Sequence, residues 1–477
     1  MRGFRWLSIP GAPQLCTSGH DAEQRLKHGR AELRGGFRFN AKCASVLSAH
    51  LVSDVLVSCD LVSYRLATRW PFGMTEPGKH SDNPFRIHGI VLRPYFTNRE
   101  EELKRILDTF RAPTAKLVVY GERRMGKTSA LAVALGDYEE EAGIGFMADL
   151  STASTVADMA NRVLDAASKA LGRRWKDVVT DLVRRIGVGV TLGTDPLTGL
   201  PTVNLDVGLR NANVAEQRAT LGRVLDSIEH AAEDRDINIA IVLDEFQEIH
   251  RFGGEEAEWH LRGAIQHHQR LSYILSGSKP NLVRRMLGKG RAFYGFFDKL
   301  PFGAIEPERL ASWIDERISE HGMKNPVAGA DIVSIAGPRT RDVVRLARRT
   351  FELARNTSKV DRKVVDQAFL EVVQEEDDSI RFLWEGLTSH QQNVLRAVSA
   401  AETGLTTAES LRRFSLSSSA TSQTANKFVK DGVLERGGPS GYRFDSPFTR
   451  GWVIINALPD IGVQLPATFQ PQQPDDE

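Results

Sequence analysis

The sequence predicts an α/β fold in which a parallel sheet is followed by a helical region and a small C-terminal domain. Two observations predict the sheet. Short apolar runs alternate with helix-like segments along the chain, and two of these runs end directly in a glycine-rich or an acidic motif. At 477 residues with 41% hydrophobic content, the length allows about three domains with sizeable cores.

The first motif is the octapeptide GERRMGKT at residues 121–128, which fits the G-x-x-x-x-G-K-[ST] pattern of a phosphate-binding P-loop. It follows an apolar run at 117–120, which predicts a buried strand, and precedes an Ala-rich segment that predicts a helix. Its glycines let backbone N–H groups converge on phosphates at the positive end of that helix. Lys127 would reach the β- and γ-phosphates, and the Thr128 hydroxyl would ligate Mg²⁺. The expected ATP contacts are Gly121, Glu122, Arg123, Arg124, Met125, Gly126, Lys127, Thr128 and Ser129.

The second motif is Asp244-Glu245, at the end of the apolar run 239–243. This is the Walker B arrangement, in which a carboxylate at the end of a strand holds the water shell of Mg²⁺. Asp244 is the expected metal residue, and Glu245 is placed to polarise the attacking water. Together, the Walker A and Walker B motifs predict an ATPase that uses Mg²⁺.

A third apolar run, at 271–275, predicts another buried strand that ends in small polar residues. Ser276 or Ser278 is expected to contact the γ-phosphate or the attacking water, and Ser276 is the candidate catalytic residue. The open alternative is a turn of small residues leaving the strand.

Further strands are expected at 145–150 and 300–305, and helices at 156–171, 255–269 and after Asn98, a candidate N-cap.

Residues 186–209 predict a β-hairpin inserted before the Walker B strand. Apolar residues alternate on both sides of a polar turn at 194–199. A ribbon that binds a partner and a packed surface hairpin are the two interpretations.

The ends of the chain differ in composition from its centre. Residues 1–73 contain all three cysteines, at spacings that fit neither a disulfide framework nor a zinc site, and carry a net charge of +5 against −4 for the rest. We expect residues 1–84 to be a poorly ordered extension with the biological start at Met74; an arm that binds a partner is the alternative. The Pro-containing tail at 459–477 is expected to be disordered.

The overall charge and hydropathy exclude some classes of protein. A net charge of +1 gives no general affinity for polyanions. The sequence has no run of 18 apolar residues and no signal-peptide core, so we expect no membrane span and a cytoplasmic protein.

Five segments make the chain resemble an AAA-like P-loop ATPase of the STAND type, close to the archaeal-ATPase branch. They are residues 96–103 (FTNREEEL), 123–129 (RRMGKTS), 244–247 (DEFQ), 276–279 (SGSK) and 291–294 (RAFY). The resemblance implies the parallel sheet of a P-loop NTPase with a helical lid after it. The expected domains are therefore a P-loop ATPase domain at 85–306, a helical lid at 307–380 and a winged-helix domain at 386–455.

The resemblance also implies roles for arginines. In relatives, a lid arginine often senses the γ-phosphate, and Arg339 and Arg341 both occupy the corresponding place here. A solvated helix start is the alternative for both. The sequence assigns no arginine finger for a neighbouring subunit, although Arg291 is worth testing in that role.

Residues 386–455 predict a winged helix, with three helices that start near residues 387, 405 and 417 and a hairpin at 432–444. The third helix, capped by Ser418 or Ser419, would read the major groove of duplex DNA. The candidate DNA contacts are Ser419, Thr421, Gln423, Lys427, Lys430 and Arg443. The net charge over 385–455 is only +2, which is low for a DNA binder. In the STAND proteins that the chain resembles, a winged helix can instead hold the nucleotide domain shut.

The sequence therefore predicts slow, Mg²⁺-dependent ATP hydrolysis by a nucleotide switch, in which ATP and ADP change the packing of the lid and the winged helix. Two outputs stay open. The switch is associated with duplex DNA through the winged helix, or it is a signalling switch that binds a protein partner or assembles with copies of itself, without DNA binding.

Overall fold

A computed structural model of the protein describes residues 83–186, 190–194, 201–205, 212–323, 328–355, 359–400, 404–438 and 440–458. The strands are β1 (Lys116–Tyr120), β2 (Ile144–Asp149), β3 (Val190–Thr194), β4 (Pro201–Leu205), β5 (Ile239–Asp244), β6 (Leu271–Gly277), β7 (Asp298–Pro301), β8 (Leu434–Arg436) and β9 (Tyr442–Phe444). The helices before β7 are α1 (Glu100–Arg111), α2 (Lys127–Glu140), α3 (Val156–Gly172), α4 (Lys176–Ile186), α5 (Val214–Glu233), α6 (Glu248–Ile265) and α7 (Pro280–Met286). The later helices are α8 (Pro307–Glu320), α9 (Ala328–Ala336), α10 (Thr340–Ala354), α11 (Arg362–Glu375), α12 (Asp377–Glu385), α13 (Ser389–Ala400), α14 (Ala408–Arg413), α15 (Ser418–Asp431) and α16 (Pro447–Asn456).

The central sheet has five strands in the order β2-β5-β6-β1-β7, all parallel. β5 and β6 are buried along their whole length because helices cover both faces of the sheet. One apolar core lies between the sheet and α3, α4, α5 and α6, and a second lies between the sheet and α1 and α2. The predicted α/β fold with a parallel sheet is confirmed, and the carboxyl ends of β1, β5 and β6 meet at one edge.

Several element boundaries differ from the sequence prediction. The last strand of the sheet is β7 at Asp298–Pro301, before the predicted 300–305, and α6 begins at Glu248 rather than at 255. The helix α6 is kinked at Gly254, whose φ of 62° departs from helical geometry. α4 has no counterpart in the prediction; it ends at Ile186, the residue at which the predicted hairpin begins.

The start of the described region also differs. Asn83 donates from its side chain to the carbonyl of Arg348, and Phe85 is fully buried among lid residues. The described part of the chain therefore begins at residue 83, before the predicted boundary at 85, while residues 1–82, with the predicted start at Met74, lie outside the described residues. The predicted N-cap is wrong: Arg99 precedes α1 without a capping bond, and Asn98 and Arg99 both have left-handed backbone, with φ of 54° and 76°.

The inserted hairpin consists of β3 and β4, which pair antiparallel from Val190 with Leu205 to Thr194 with Pro201. β4 packs on α3 through Val203 and Leu205, whereas four of the five residues of β3 are exposed. This geometry agrees with a packed surface hairpin. Its turn at 195–200, with the flanking residues 187–189 and 206–211, lies outside the described residues.

The lid helices α8–α11 and the C-terminal region (residues 389–458) share one apolar core. α16 joins them: Phe448 packs against Phe369 of α11 with ring centroids 5.6 Å apart, and Trp452 packs against Trp384 of α12. α16 was not among the expected elements, although Ser446 and Pro447 are an N-cap and a first-turn proline. The predicted third helix, α15, begins at Ser418 without a side-chain cap.

Among the described helices, none is both long enough and apolar enough to span a bilayer.

Candidate nucleotide site

The P-loop connects β1 to α2 at the carboxyl edge of the sheet. A Cβ on Gly121 would lie 2.0 Å from the carbonyl oxygen of Phe302, so only glycine fits beside β7. Gly126 has a φ of 92°, which glycine adopts without strain, and it directly precedes the first turn of α2. The loop therefore presents the N-terminus of α2 at the edge where the predicted ligand would lie.

Lys127 lies inside this loop, with only 6% of its surface exposed. Its ammonium donates to the carbonyl oxygens of Gly121 and Glu122, at 3.0 and 2.7 Å. Burial lowers the pKa of Lys127, and the carboxylates of Glu245 and Asp244 oppose that shift. The charge is thus held in a low-dielectric site beside the Walker B acids, where its interaction with phosphate oxygens would be strong.

Thr128 and Asp244 meet at the same edge, as the two motifs predict. The Thr128 hydroxyl donates to Oδ2 of Asp244 at 2.6 Å, and the backbone N–H of Glu245 donates to Oδ1 at 3.0 Å. These oxygens fit Mg²⁺, which takes oxygen ligands and keeps several waters when phosphates complete its shell. Among the described residues, no three or more His, Cys, Asp or Glu side chains are arranged so that they could hold a metal ion by themselves. A metal here would need those phosphates and waters.

Glu245 lies just beyond β5 with a φ of 53°. Its Oε2 accepts hydrogen bonds from the hydroxyl of Ser278, at 2.7 Å, and from the side-chain amide of Gln247. Of the two serines, the structure brings Ser278 to Glu245. The Ser276 hydroxyl is buried and has no hydrogen-bond partner among the described residues.

Arg99 is a residue of this site that sequence reasoning missed. Its side chain is 5% exposed and donates to the carbonyl oxygens of Met125, in the P-loop, and Gly303, at 3.2 and 2.7 Å. It also pairs with Glu102 at 2.7 Å and lies over the ring of Phe302. Arg99 therefore holds the P-loop in place through the carbonyl of Met125. It lies in the segment 96–103 that carries the resemblance, but its sequence context did not indicate this role.

We expect Arg99→Ala to destabilise the fold by about 2–4 kcal/mol, because it leaves the carbonyl oxygens of Met125 and Gly303 and the carboxylate of Glu102 without their partner. Thermal unfolding of the full chain measures this. The control is Arg93→Ala, since Arg93 is 59% exposed and forms one surface pair with Asp137. Equal shifts in Tm for the two variants would contradict the bracing role.

The two lid arginines lie in different environments. Arg341 is exposed, and its backbone N–H donates to the carbonyl of Arg124 in the P-loop at 3.1 Å. The side chain of Arg339 is 4% exposed and pairs with Glu435 and, at 2.8 Å, with Asp445. Arg339 is therefore bound to the C-terminal region, and Arg341 is free to face solvent.

These contacts belong to a larger group, which we name the charge cluster. Its members are Glu122 and Arg124 of the P-loop, Arg339 and Asp342 of the lid, and Glu435, Arg443 and Asp445 of the C-terminal region. Arg443 approaches Glu122 at 3.3 Å, and Arg124 approaches Asp445 at 3.2 Å. The β8–β9 hairpin thus contacts the P-loop directly.

The other predicted site residues are placed as follows. The Ser129 hydroxyl accepts the backbone N–H of Val91 at 3.0 Å, which ties the N-terminal segment to α2. Arg123 is exposed, and Met125 is buried. Arg291 forms two bonds of 2.8 Å to Glu258, which is fully buried, so its guanidinium is engaged within its own subunit.

Comparisons with known proteins bear most strongly on residues 96–286. Residues 96–286 match the family described as an ATPase domain predominantly from Archaea. The fold is similar to that of a Walker-type ATPase of Pyrococcus abyssi, with 13% identity and a TM-score of 0.53 over 78% of this chain and 99% of that one. The Aeropyrum pernix ORC1 protein in complex with DNA aligns with 17% identity and a TM-score of 0.42, over 78% of this chain and 97% of its own. A comparison with curated proteins gave no match.

The family match, the parallel sheet and the meeting of P-loop and Walker B strand agree with one another. On these grounds, residues 96–286 form a P-loop ATPase domain that matches the archaeal-ATPase family.

Proposed function

We propose that this protein hydrolyses ATP with Mg²⁺ and acts as a nucleotide switch, in which the C-terminal region closes on the P-loop. The charge cluster is the observation that carries the proposal. It joins two P-loop residues to the hairpin and uses Arg339, one of the two lid arginines that the resemblance makes candidates for sensing the γ-phosphate. Mg²⁺, held by Thr128 and Asp244, would neutralise charge on the phosphates.

In the proposed switch, the carboxylates of the C-terminal region and the γ-phosphate compete for the guanidinium of Arg339. Arg339 is bound to Glu435 and Asp445, so it can reach a γ-phosphate only after the hairpin moves away. Charge-assisted bonds from arginine to phosphate are among the strongest hydrogen bonds in proteins. ATP would therefore favour an open arrangement and ADP the closed one, because only ATP offers the competing acceptor.

The charge cluster itself is suited to exchange. Three arginines face four carboxylates in it, and burial raises the pKa of Asp342 and of Glu435 in spite of the neighbouring arginines. Desolvation thus offsets much of the attraction between the charges. The charge cluster therefore selects one position of the hairpin on the P-loop but stabilises that position only weakly, so a bound ligand can open it.

The test is a charge-reversal cycle on the pair Arg443 and Glu122. We expect Arg443→Glu to raise steady-state ATP turnover and the rate of ADP release several-fold, and Glu122→Arg in the same chain to return both toward wild type. Arg436→Glu is the matched control, since Arg436 lies on the same hairpin and bonds to Asn426 instead of the P-loop. Equal changes in turnover for Arg443→Glu and Arg436→Glu would contradict the proposed switch.

A second candidate function is contact with duplex DNA through α15, treated as the recognition helix of a winged helix. Ser419, Gln423 and Lys427 follow one another at four-residue spacing, and they and Lys430 are exposed. Neither lysine has an acidic partner within the part of the chain that the structure describes. The candidate Thr421 is corrected: it is fully buried, because it lies on the opposite side of α15.

Arg443 cannot contact DNA while it pairs with Glu122 and Glu435. DNA binding and closure therefore compete for this residue. We expect the double change Lys427→Glu, Lys430→Glu to weaken duplex binding and to reduce the salt slope of log K by about 2. Lys363→Glu, on α11, is the control. If wild-type chain shows no salt-sensitive binding but assembles with ATP, as light scattering would show, the partner is a protein or a second copy.

A further inference from the structure

Gln247 is a buried amide next to the carboxylate of Glu245 that neither motif explains. It is 1% exposed and lies at the turn between β5 and α6. Its Nε2 donates to Oε2 of Glu245, the same oxygen that accepts the Ser278 hydroxyl. The opposite amide orientation would point an oxygen at the carboxylate, so the donor orientation is the one that the site accommodates.

The space for this amide is provided by Gly277. A Cβ on Gly277 would lie 2.8 Å from Oε1 of Gln247 and 2.6 Å from a methyl of Val283. Oε1 is buried and has no hydrogen-bond partner among the described residues. A buried amide oxygen without a partner lowers the stability of the fold. The Nε2 end of Gln247 must therefore have a role that a nonpolar side chain could not fill.

The hydrogen bond from Gln247 fixes the orientation of the Glu245 carboxylate. With a φ of 53°, this residue has a backbone conformation that side-chain-bearing residues rarely adopt. Two donors occupy Oε2, from Gln247 on one side and Ser278 on the other. Oε1 is left as the oxygen that can accept a proton from water.

We propose that Gln247 is a positioning residue for ATP hydrolysis, which holds the Glu245 carboxylate in its reactive orientation from a space that Gly277 leaves open. The proposal rests on the function proposed above, in which Glu245 polarises the attacking water. It concerns the chemical step alone, since Gln247 is buried behind Glu245 and contacts no P-loop residue in the hydrogen bonds of the described region.

The test uses the full chain and the near-isosteric change Gln247→Met. We expect kcat to fall about 10- to 100-fold, while the affinity for a non-hydrolysable ATP analogue stays within about twofold. Ser272→Ala is the control, because it changes another buried polar group of β6 that has no hydrogen-bond partner among the described residues. It should change neither kcat nor the affinity for the analogue. A parallel loss of nucleotide affinity in Gln247→Met would overturn the proposal.

A double-mutant cycle separates positioning from structure. In single-turnover measurements, Gln247→Met should cause no further loss in a Glu245→Gln background, because the carboxylate that it positions is already gone. The same fold-loss in both backgrounds would overturn the proposal. If Glu245→Gln alone leaves turnover unchanged, Glu245 is not the catalytic base and the proposed function is wrong. This outcome is distinct from a failure of the positioning role of Gln247.

A second variant, Gln247→Glu, covers the case in which the methionine variant does not fold. When protonated, the introduced carboxyl can donate to Glu245 as the amide does; when ionised, it repels Glu245. We therefore expect its turnover relative to wild type to rise as the pH is lowered. A ratio independent of pH would contradict the positioning role.

Discussion

Replacement of Lys127 with alanine is expected to lower ATP turnover by about 100- to 1,000-fold, the usual effect of removing one group that stabilises transition-state charge. The ammonium is buried in the P-loop on the carbonyls of Gly121 and Glu122 and would exchange these acceptors for phosphate oxygens. Release of inorganic phosphate measures the effect. Lys104→Ala, a change of an exposed lysine on α1, is the control.

The same substitution is expected to leave stability unchanged or slightly raised. Burial lowers the pKa of Lys127, so near neutral pH the folded protein carries the cost of a desolvated ammonium, and this cost is relieved only when the pH rises above the folded-state pKa. Lys127→Ala removes the cost. A loss of turnover together with a large drop in Tm would show that the lysine acts through the fold, against this expectation.

Glu245→Gln is expected to lower turnover by about 100- to 10,000-fold, because an amide cannot accept the proton of the attacking water. The change keeps the shape of the side chain, so nucleotide affinity should remain close to that of wild type. The result would be a protein that binds ATP and retains it. Turnover and the binding of an ATP analogue, measured side by side, test both parts.

The control for Glu245→Gln is Glu248→Gln. Glu248 is a buried acid of the same turn, but it pairs with Lys279 at 2.8 Å. We expect turnover of Glu248→Gln to stay within about threefold of wild type, since among the described residues the Glu248 carboxylate makes no hydrogen bond to the carboxylate of Glu245. Equal losses for the two variants would mean that charge in the turn, and not the position of Glu245, supports hydrolysis.

The nucleotide site could be predicted from sequence because it depends on short segments and one topological rule. Parallel strands meet at their carboxyl ends, so motifs that follow β1 and β5 are brought together without any knowledge of the rest of the fold. The choice between Ser276 and Ser278 was not predictable. Both lie on one side if the strand continues, but β6 ends at Gly277, and only the residue after it turns toward Glu245.

The charge cluster depends on contacts that no local pattern encodes. Arg443 and Glu122 are separated by 321 residues, and each alone is an ordinary surface charge in the sequence. The same holds for Arg99, whose partners Met125 and Gly303 offer only backbone carbonyls. Thr421 was misplaced for a simpler reason: the sequence gives the period of α15, but not which of its faces packs on the hairpin.

The common core of the lid and the C-terminal region determines where the protein can be shortened. A chain that ends near residue 386 would lose α16 and uncover Phe369 and Val373, which pack so closely on it that a Cβ at Gly451 would lie 2.7 Å from the Phe369 ring. Such a truncation is expected to aggregate. A chain that ends near residue 306 removes the lid and C-terminal helices of this core together, but it uncovers Phe85 and Ile305, which belong to the same core. We therefore expect an isolated ATPase domain to be better behaved if it starts after Phe85 as well as ending near residue 306.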